Sequence, residues 1–100
     1  MAELIWTNEA NRWIEKIYQY ISKENPQAAY NVVNGIYEKA QILLDHPQIG
    51  HIYEHESGRN IRILLYGHYR IAYEILENGR TIYILGIFHG AMEIENYLSI

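Results

Sequence analysis

Residues 60–88 read NIRILLYGHYRIAYEILENGRTIYILGIF, and this stretch decides the fold. Three strand-length apolar runs, Asn60–Tyr66, Tyr69–Glu77 and Arg80–Phe88, are separated by the turn signals Gly67-His68 and Asn78-Gly79. Asn-Gly is a strong hairpin signal because the favoured two-residue turns need positive φ, which these residues tolerate. Two-residue turns place Tyr66 opposite Tyr69 and Glu77 opposite Arg80. Side chains alternate between faces along a strand, so this register sorts the whole meander. One face takes Leu64, Tyr66, Tyr69, Ile71, Tyr73, Ile75, Ile82, Ile84 and Phe88, with Arg62 near one end, and is expected to bury against helices. The other takes Ile61, Ile63, Leu65, Arg70, Ala72, Glu74, Leu76, Thr81, Tyr83, Leu85 and Ile87. A solvated face of an antiparallel sheet turns polar, and this one does not. It is therefore expected to receive a partner segment or a second subunit, the alternative being a cover supplied by the C-terminal residues through Met92 and Tyr97. Arg70 and Glu74 share this face and are expected to form an exposed ion pair of little energetic worth.

Upstream, the periodicity changes. Leu4-Ile5-Trp6 reads as a short strand, followed by Thr7 or Asn8 as a helix cap. Ala10, Trp13, Ile14, Ile17 and Ile21 then fall on one helical stripe, with Arg12, Glu15, Lys16 and Gln19 opposite. Asn25-Pro26 closes this helix and opens another, since proline disfavours helix in the residue before it and suits the first helical position. The second stripe, Ala29, Val32, Val33, Ile36, Ala40, Leu43 and Leu44, ends near Asp45-His46-Pro47. So short a junction makes the two helices an antiparallel hairpin. Residues 46–59, HPQIGHIYEHESGR, read as a polar loop, and Gly90–Ile100 as a short terminal helix with Met92, Glu95, Asn96 and Tyr97 in register. The expected order is β-α-α-β-β-β in a single domain over residues 1–100, an α+β fold with a helical hairpin packed on an antiparallel sheet.

Composition narrows the function classes. One hundred residues suffice for one domain and not for two. The absence of cysteine fits a reducing cytoplasm. The N-terminus is acidic, with no signal-peptide pattern, and no apolar run approaches the ~20 residues that span a bilayer. The net charge is −4, and the 8 basic residues are scattered, so direct nucleic-acid binding is not expected. Tyrosine is abundant, at 10 residues; it fills half-buried positions in small domains and is also enriched at protein interfaces.

Five stretches in order then carry a family resemblance. They are the opening strand with Trp6, Asn25-Pro26-Gln27-Ala28-Ala29, Leu44-Asp45-His46-Pro47-Gln48-Ile49-Gly50, Tyr69-Arg70-Ile71-Ala72-Tyr73, and Ile87-Phe88-His89-Gly90-Ala91-Met92-Glu93-Ile94. Across essentially its whole length the chain resembles the RelE/ParE superfamily of type II toxin–antitoxin toxins. That superfamily holds RelE-like nucleases, which cut messenger RNA on the ribosome with basic residues and often a C-terminal tyrosine, and ParE-like inhibitors of DNA gyrase. Arg70 matches the RelE strand arginine. The expected lysines fall at Ile61 and Ile63, the second arginine falls near Gly90, and the tyrosine has a counterpart in Tyr97, one position out. RNA cleavage needs an acid, a base and cations for the developing phosphorane charge. The resemblance therefore implies the ParE-like branch, acting by protein contact, without a cofactor, and neutralised in a hetero-oligomer by a cognate antitoxin. The alternatives are a ribonuclease using Arg70, His89 and Tyr97, and a non-toxic protein that retains antitoxin binding.

These readings give two candidate surfaces. Ile61, Ile63, Leu65, Arg70, Tyr83, Leu85 and Ile87 are the expected antitoxin dock, and Arg59, Arg70, Arg80 and His89 the expected contacts to the target. A disordered antitoxin tail can fold on such an apolar surface. His46, His51 and His55 crowd one loop beside Glu54 and Glu56 without a third ligand at metal spacing, so they read as solvated side chains. Arg59, Arg62, Arg70 and Arg80 are equally readable as ordinary surface arginines, His89 as a structural hydrogen-bonding residue, and Trp13 as core.

Overall fold

Thr7 starts the first helix: its hydroxyl accepts from the Ala10 N–H at 3.1 Å and donates to the Ile84 carbonyl at 2.7 Å, tying the helix start to the sheet. Asn25 starts the second, accepting from the Ala28 N–H at 3.0 Å with Pro26 just inside. The computed structural model describes residues 2–90 and 92–98. Its elements are β1 (Glu3–Trp6), α1 (Asn8–Ser22), α2 (Pro26–Gln41), a 3-10 turn (Ile42–Leu44), β2 (His51–Tyr53), β3 (Ile61–Tyr66), β4 (Tyr69–Leu76), β5 (Thr81–His89) and a final 3-10 turn (Ile94–Asn96). The sheet order is β1-β5-β4-β3-β2, antiparallel throughout except for the parallel pair β1–β5. The α+β architecture thus matches the expectation, with a mixed sheet of five strands. The parallel pairing of β1 follows from the helical hairpin, which returns the chain to the same end of the sheet before β5 is laid beside it.

Both hairpins keep the expected register at their turns. Tyr66 lies opposite Tyr69, and the β4–β5 ladder ends at Leu76 opposite Thr81. Glu77, Asn78 and Gly79 all adopt left-handed backbone there, with φ of 52°, 57° and 91°. Further along β5 the expectation fails. Ala72 pairs with Gly86 while Tyr73 pairs with Ile84, so one extra residue enters β5 as a bulge. A one-residue slip exchanges faces. Ile87 therefore turns to the helices and Phe88 to the opposite side, the reverse of their sequence assignment. Gly86 makes room for this: a Cβ on it would lie 2.6 Å from Phe88 Cζ, so the ring folds back over the glycine.

The helix-side core joins Ala10, Ile14 and Ile17 of α1 and Ile36 and Ala40 of α2 to Leu64, Ile71, Tyr73, Ile75, Ile82, Ile84 and Ile87. Each fully buried isoleucine contributes roughly 1.5–3 kcal/mol over leaving it in water. Trp13 is only half-buried and touches both this core and the one across the sheet. At one sheet end the Tyr73 hydroxyl donates to the Pro47 carbonyl at 2.7 Å and accepts from the Gly50 N–H at 2.9 Å. Arg62 Nη1 donates to the Gln48 and Gly50 carbonyls at 2.9 and 2.8 Å. A Cβ at Gly50 would come within 2.6 Å of the Tyr73 oxygen and 2.8 Å of the Ile63 carbonyl, so only glycine fits this crossing. These bonds turn the Pro47–Gly50 stretch directly into β2, a strand the sequence reading missed inside its polar loop.

Candidate functional site

The sheet face away from the helices is covered by the chain itself. Ile61, Ile63, Ala72, Leu85 and Phe88 are buried there with Ile94, and Tyr53, Tyr83, Met92 and Leu98 pack around them. The expected open face is therefore closed by residues 92–98, as the alternative reading had it. The described tail is not the expected helix; it carries one 3-10 turn, whose Leu98 N–H reaches the Ile94 carbonyl at 2.9 Å. Within the expected dock, Ile61, Ile63 and Leu85 lie under this cover, Ile87 lies in the helix-side core, Tyr83 is half-buried, and Leu65 stays 53% exposed.

Polar ties hold the cover down. Arg70 Nη2 donates to the Met92 carbonyl. The Tyr53 hydroxyl donates to the Glu95 carboxylate, and its pKa is pushed up to about 12 by burial and then by that carboxylate, with Arg70 opposing. Tyr97 sets its ring edge-on to Trp13, centroids 5.6 Å apart, while remaining 43% exposed. The expected Arg70–Glu74 pair does not form. Glu74, 4% exposed, is instead gripped by Arg59, whose Nε donates to Oε2 at 2.8 Å while Nη2 bonds the other oxygen. That contact holds the Arg59 guanidinium above its ordinary pKa. The reason is reach: Arg70 points along β4 toward the tail, whereas Arg59 approaches from just before β3, where Glu74 faces Ile61.

The expected target contacts do not converge. Arg59 is committed to Glu74 and Arg70 to the tail. Arg80 sits exposed at the β4–β5 turn, and His89 at the other end of β5, roughly 25–30 Å away at strand rise. The ribonuclease trio is divided as well. Arg70 pairs with Phe88 on the covered face, and His89 pairs with Tyr69 on the helix side. Of the loop histidines, His51 lies in β2 and His55 bonds Ser57 at 2.8 Å.

His89 and Ile87 do meet in a cleft of about 410 Å³ between α1 and the end of β5, walled by Trp13, Lys16, Tyr20, Tyr69 and Met92. The His89 ring lies edge-on to Tyr69 at 5.7 Å and stacks on His68 at 6.2 Å. Tyr69 is pushed above its ordinary pKa by burial and then by Tyr20. The sequence reading placed Lys16 on the solvent side of α1 and singled out neither Tyr20 nor Tyr53. Helical spacing offered a signal for Lys16, three residues after Trp13 and so on the same face. The apolar-aromatic pair Ile52-Tyr53 within the loop was the signal for β2.

A strand, a two-helix hairpin and a sheet closed by a folded-back tail define a small α+β domain of the RelE/ParE class. Residues 4–94 match the family model described as ParE toxin of the type II toxin–antitoxin system parDE, and the chain belongs to that family. Its fold is similar to a chain of the chromosomal ParDE toxin–antitoxin system from P. aeruginosa, at a TM-score of 0.72 and 25% identity over 89% of this chain and 96% of that one. It is also similar to a chain of the RelBE2 toxin–antitoxin complex from Mycobacterium tuberculosis, at a TM-score of 0.62 and 22% identity over 88% and 96%, a likeness of fold alone. No curated protein matches the chain.

Proposed function

We propose that this ParE-family toxin acts by protein contact, inhibiting DNA gyrase, and that a cognate antitoxin neutralises it by binding its surface. The observation that carries the reading is the state of the one sheet face where the superfamily's nucleases keep their cations. Ile61 and Ile63 stand at the lysine positions and are buried, and Arg70 is bound to the Met92 carbonyl. Phosphorane charge would find no cluster of cations there, and a single arginine held by a carbonyl is a poor electrostatic substitute. The net charge of −4 adds no attraction for RNA. An antitoxin partner is supported by the neighbouring ParDE and RelBE2 structures, both toxin–antitoxin systems.

The test is inducible expression of the chain alone in bacteria, with gyrase supercoiling measured on the purified protein. The expected result is growth arrest and lost supercoiling with intact transcripts, and relief when the antitoxin is co-expressed. The Arg70→Ala variant is expected to keep the supercoiling inhibition. Transcript cleavage with supercoiling intact, abolished by Arg70→Ala, would overturn the reading.

A further inference from the structure

Met92 is the chain's one methionine after Met1, and it sits where the tail leaves β5. Its backbone is tied from both sides: its N–H donates to the His89 carbonyl at 2.9 Å, and its carbonyl accepts from Arg70. Its side chain packs at the margin of the core formed by Ile61, Ile63, Ala72, Leu85, Phe88 and Ile94. Yet the residue is only half-buried and lines two clefts, one beside α1 of about 410 Å³ and one under the tail of about 310 Å³. A thioether so placed joins two properties: a small oxidant reaches it from solvent, and the cover over the sheet depends on its staying apolar. Oxidation turns a flexible apolar side chain into a polar one that carries a strong hydrogen-bond acceptor.

We infer that Met92 is a redox-sensitive latch, a modification site at which a peroxide converts the thioether to the sulfoxide and thereby releases residues 92–98 from the sheet. The sulfur attacks one oxygen of hydrogen peroxide, the O–O bond breaks and an S–O bond forms. Sulfur gives up an electron pair, and the departing hydroxide takes the proton of the transferred oxygen to leave as water. The new oxygen is then either buried against apolar side chains, which is costly, or turned to solvent. Turning it outward withdraws Met92 from the core and leaves Ile94 and Leu98 to hold the segment. The cover is short, so the loss of one of three apolar contacts weighs heavily, and the carbonyl that Arg70 holds is no longer fixed. Methionine sulfoxide is enzymatically reducible, which makes the latch reversible. The assignment concerns the tail and stands whether or not gyrase is the target.

The experiment exposes the full-length protein to hydrogen peroxide and removes the excess with catalase. Peptide mass spectrometry reads the sulfoxide, with Met1 as the internal measure of oxidant dose, and hydrogen exchange reads the tail. The reporters are the amides of Asn96, Tyr97 and Leu98, bonded to the Glu93 and Ile94 carbonyls at 2.9–3.1 Å. Conversion of Met92 is expected to speed their exchange about tenfold while β4 and β5 stay protected, and a methionine sulfoxide reductase is expected to reverse it. Met92→Leu, close in volume, is expected to keep the tail closed in peroxide, and Met92→Gln to open it without peroxide. Met92 left unreacted at a dose that converts Met1 would overturn the assignment. So would Met92 sulfoxide with unchanged or slower exchange at the tail, the result expected if the Trp13 indole N–H takes up the new oxygen. Equal opening of Met92→Leu by peroxide would place the sensitivity elsewhere, and exchange rising throughout β4 and β5 would show general unfolding; each overturns the latch.

Discussion

The two faces of the sheet are buried by different means. On one side α1 and α2 lay a continuous apolar stripe over Leu64, Ile71, Ile75, Ile82 and Ile84, so cover and sheet form one core. On the other, Ile61, Ile63, Leu85 and Phe88 are closed over by a few residues, chiefly Met92, Ile94 and Leu98. That second cover is one short segment, held by the packing of Met92, Ile94 and Leu98 and by polar ties from Arg70 and Tyr53. Equal burial in the finished structure is therefore expected to go with unequal stability, the helical cover being lost only with the whole fold and the tail opening more easily.

The largest expected effect tests the helical side. Ile84, fully buried between β1 and β4, should lose about 3–4 kcal/mol on replacement by alanine, seen as a single cooperative shift in urea unfolding. A loss under about 1 kcal/mol would remove the contrast between the two faces. Ending the chain at Gly90 should cost less, about 2–3 kcal/mol, because the helix-side core stays intact. The domain should remain cooperatively folded but bind a hydrophobic dye on the uncovered Ile61, Ile63 and Phe88; complete unfolding would show the tail to be integral to the core. Smallest is Tyr53→Phe, about 0.5–1 kcal/mol, since Glu95 is exposed and takes up water when the phenol is gone. The phenol's folded value of about 12 lies above its ordinary 10.0, so this bond contributes fully below pH 10 and is lost as pH rises through about 12. Ultraviolet titration of tyrosinate should show one group ionising near pH 12 that Tyr53→Phe lacks; an unchanged curve would detach Tyr53 from the tail.

Much of this was legible in the residues. The caps at Thr7 and Asn25, the two stripes, and the Gly67-His68 and Asn78-Gly79 turns rest on short-range chemistry, and each fell where its local signal pointed. The ordered motifs also led to the right family. The candidate site was less legible because its decisive partners lie far apart in the chain. Arg59 and Arg70 are both plausible partners for Glu74 in sequence, and only the placement of the segment before β3 selects Arg59. Ile87 and Phe88 exchanged faces because one extra residue in β5 is invisible to strict alternation.

The sequence by itself determined the first strand, the two helices, the three-strand meander and the apolar character of both sheet faces, since periodicity, capping and turn chemistry act within a few residues; β2 and the form of the tail were not among them. Tertiary structure alone decided which cover closes each face, where Ile87 and Phe88 point, and that Trp13, Lys16 and His89 wall one cleft. Those outcomes depend on packing between segments up to most of the chain length apart, where a bulge or a tail that folds back outweighs any local preference.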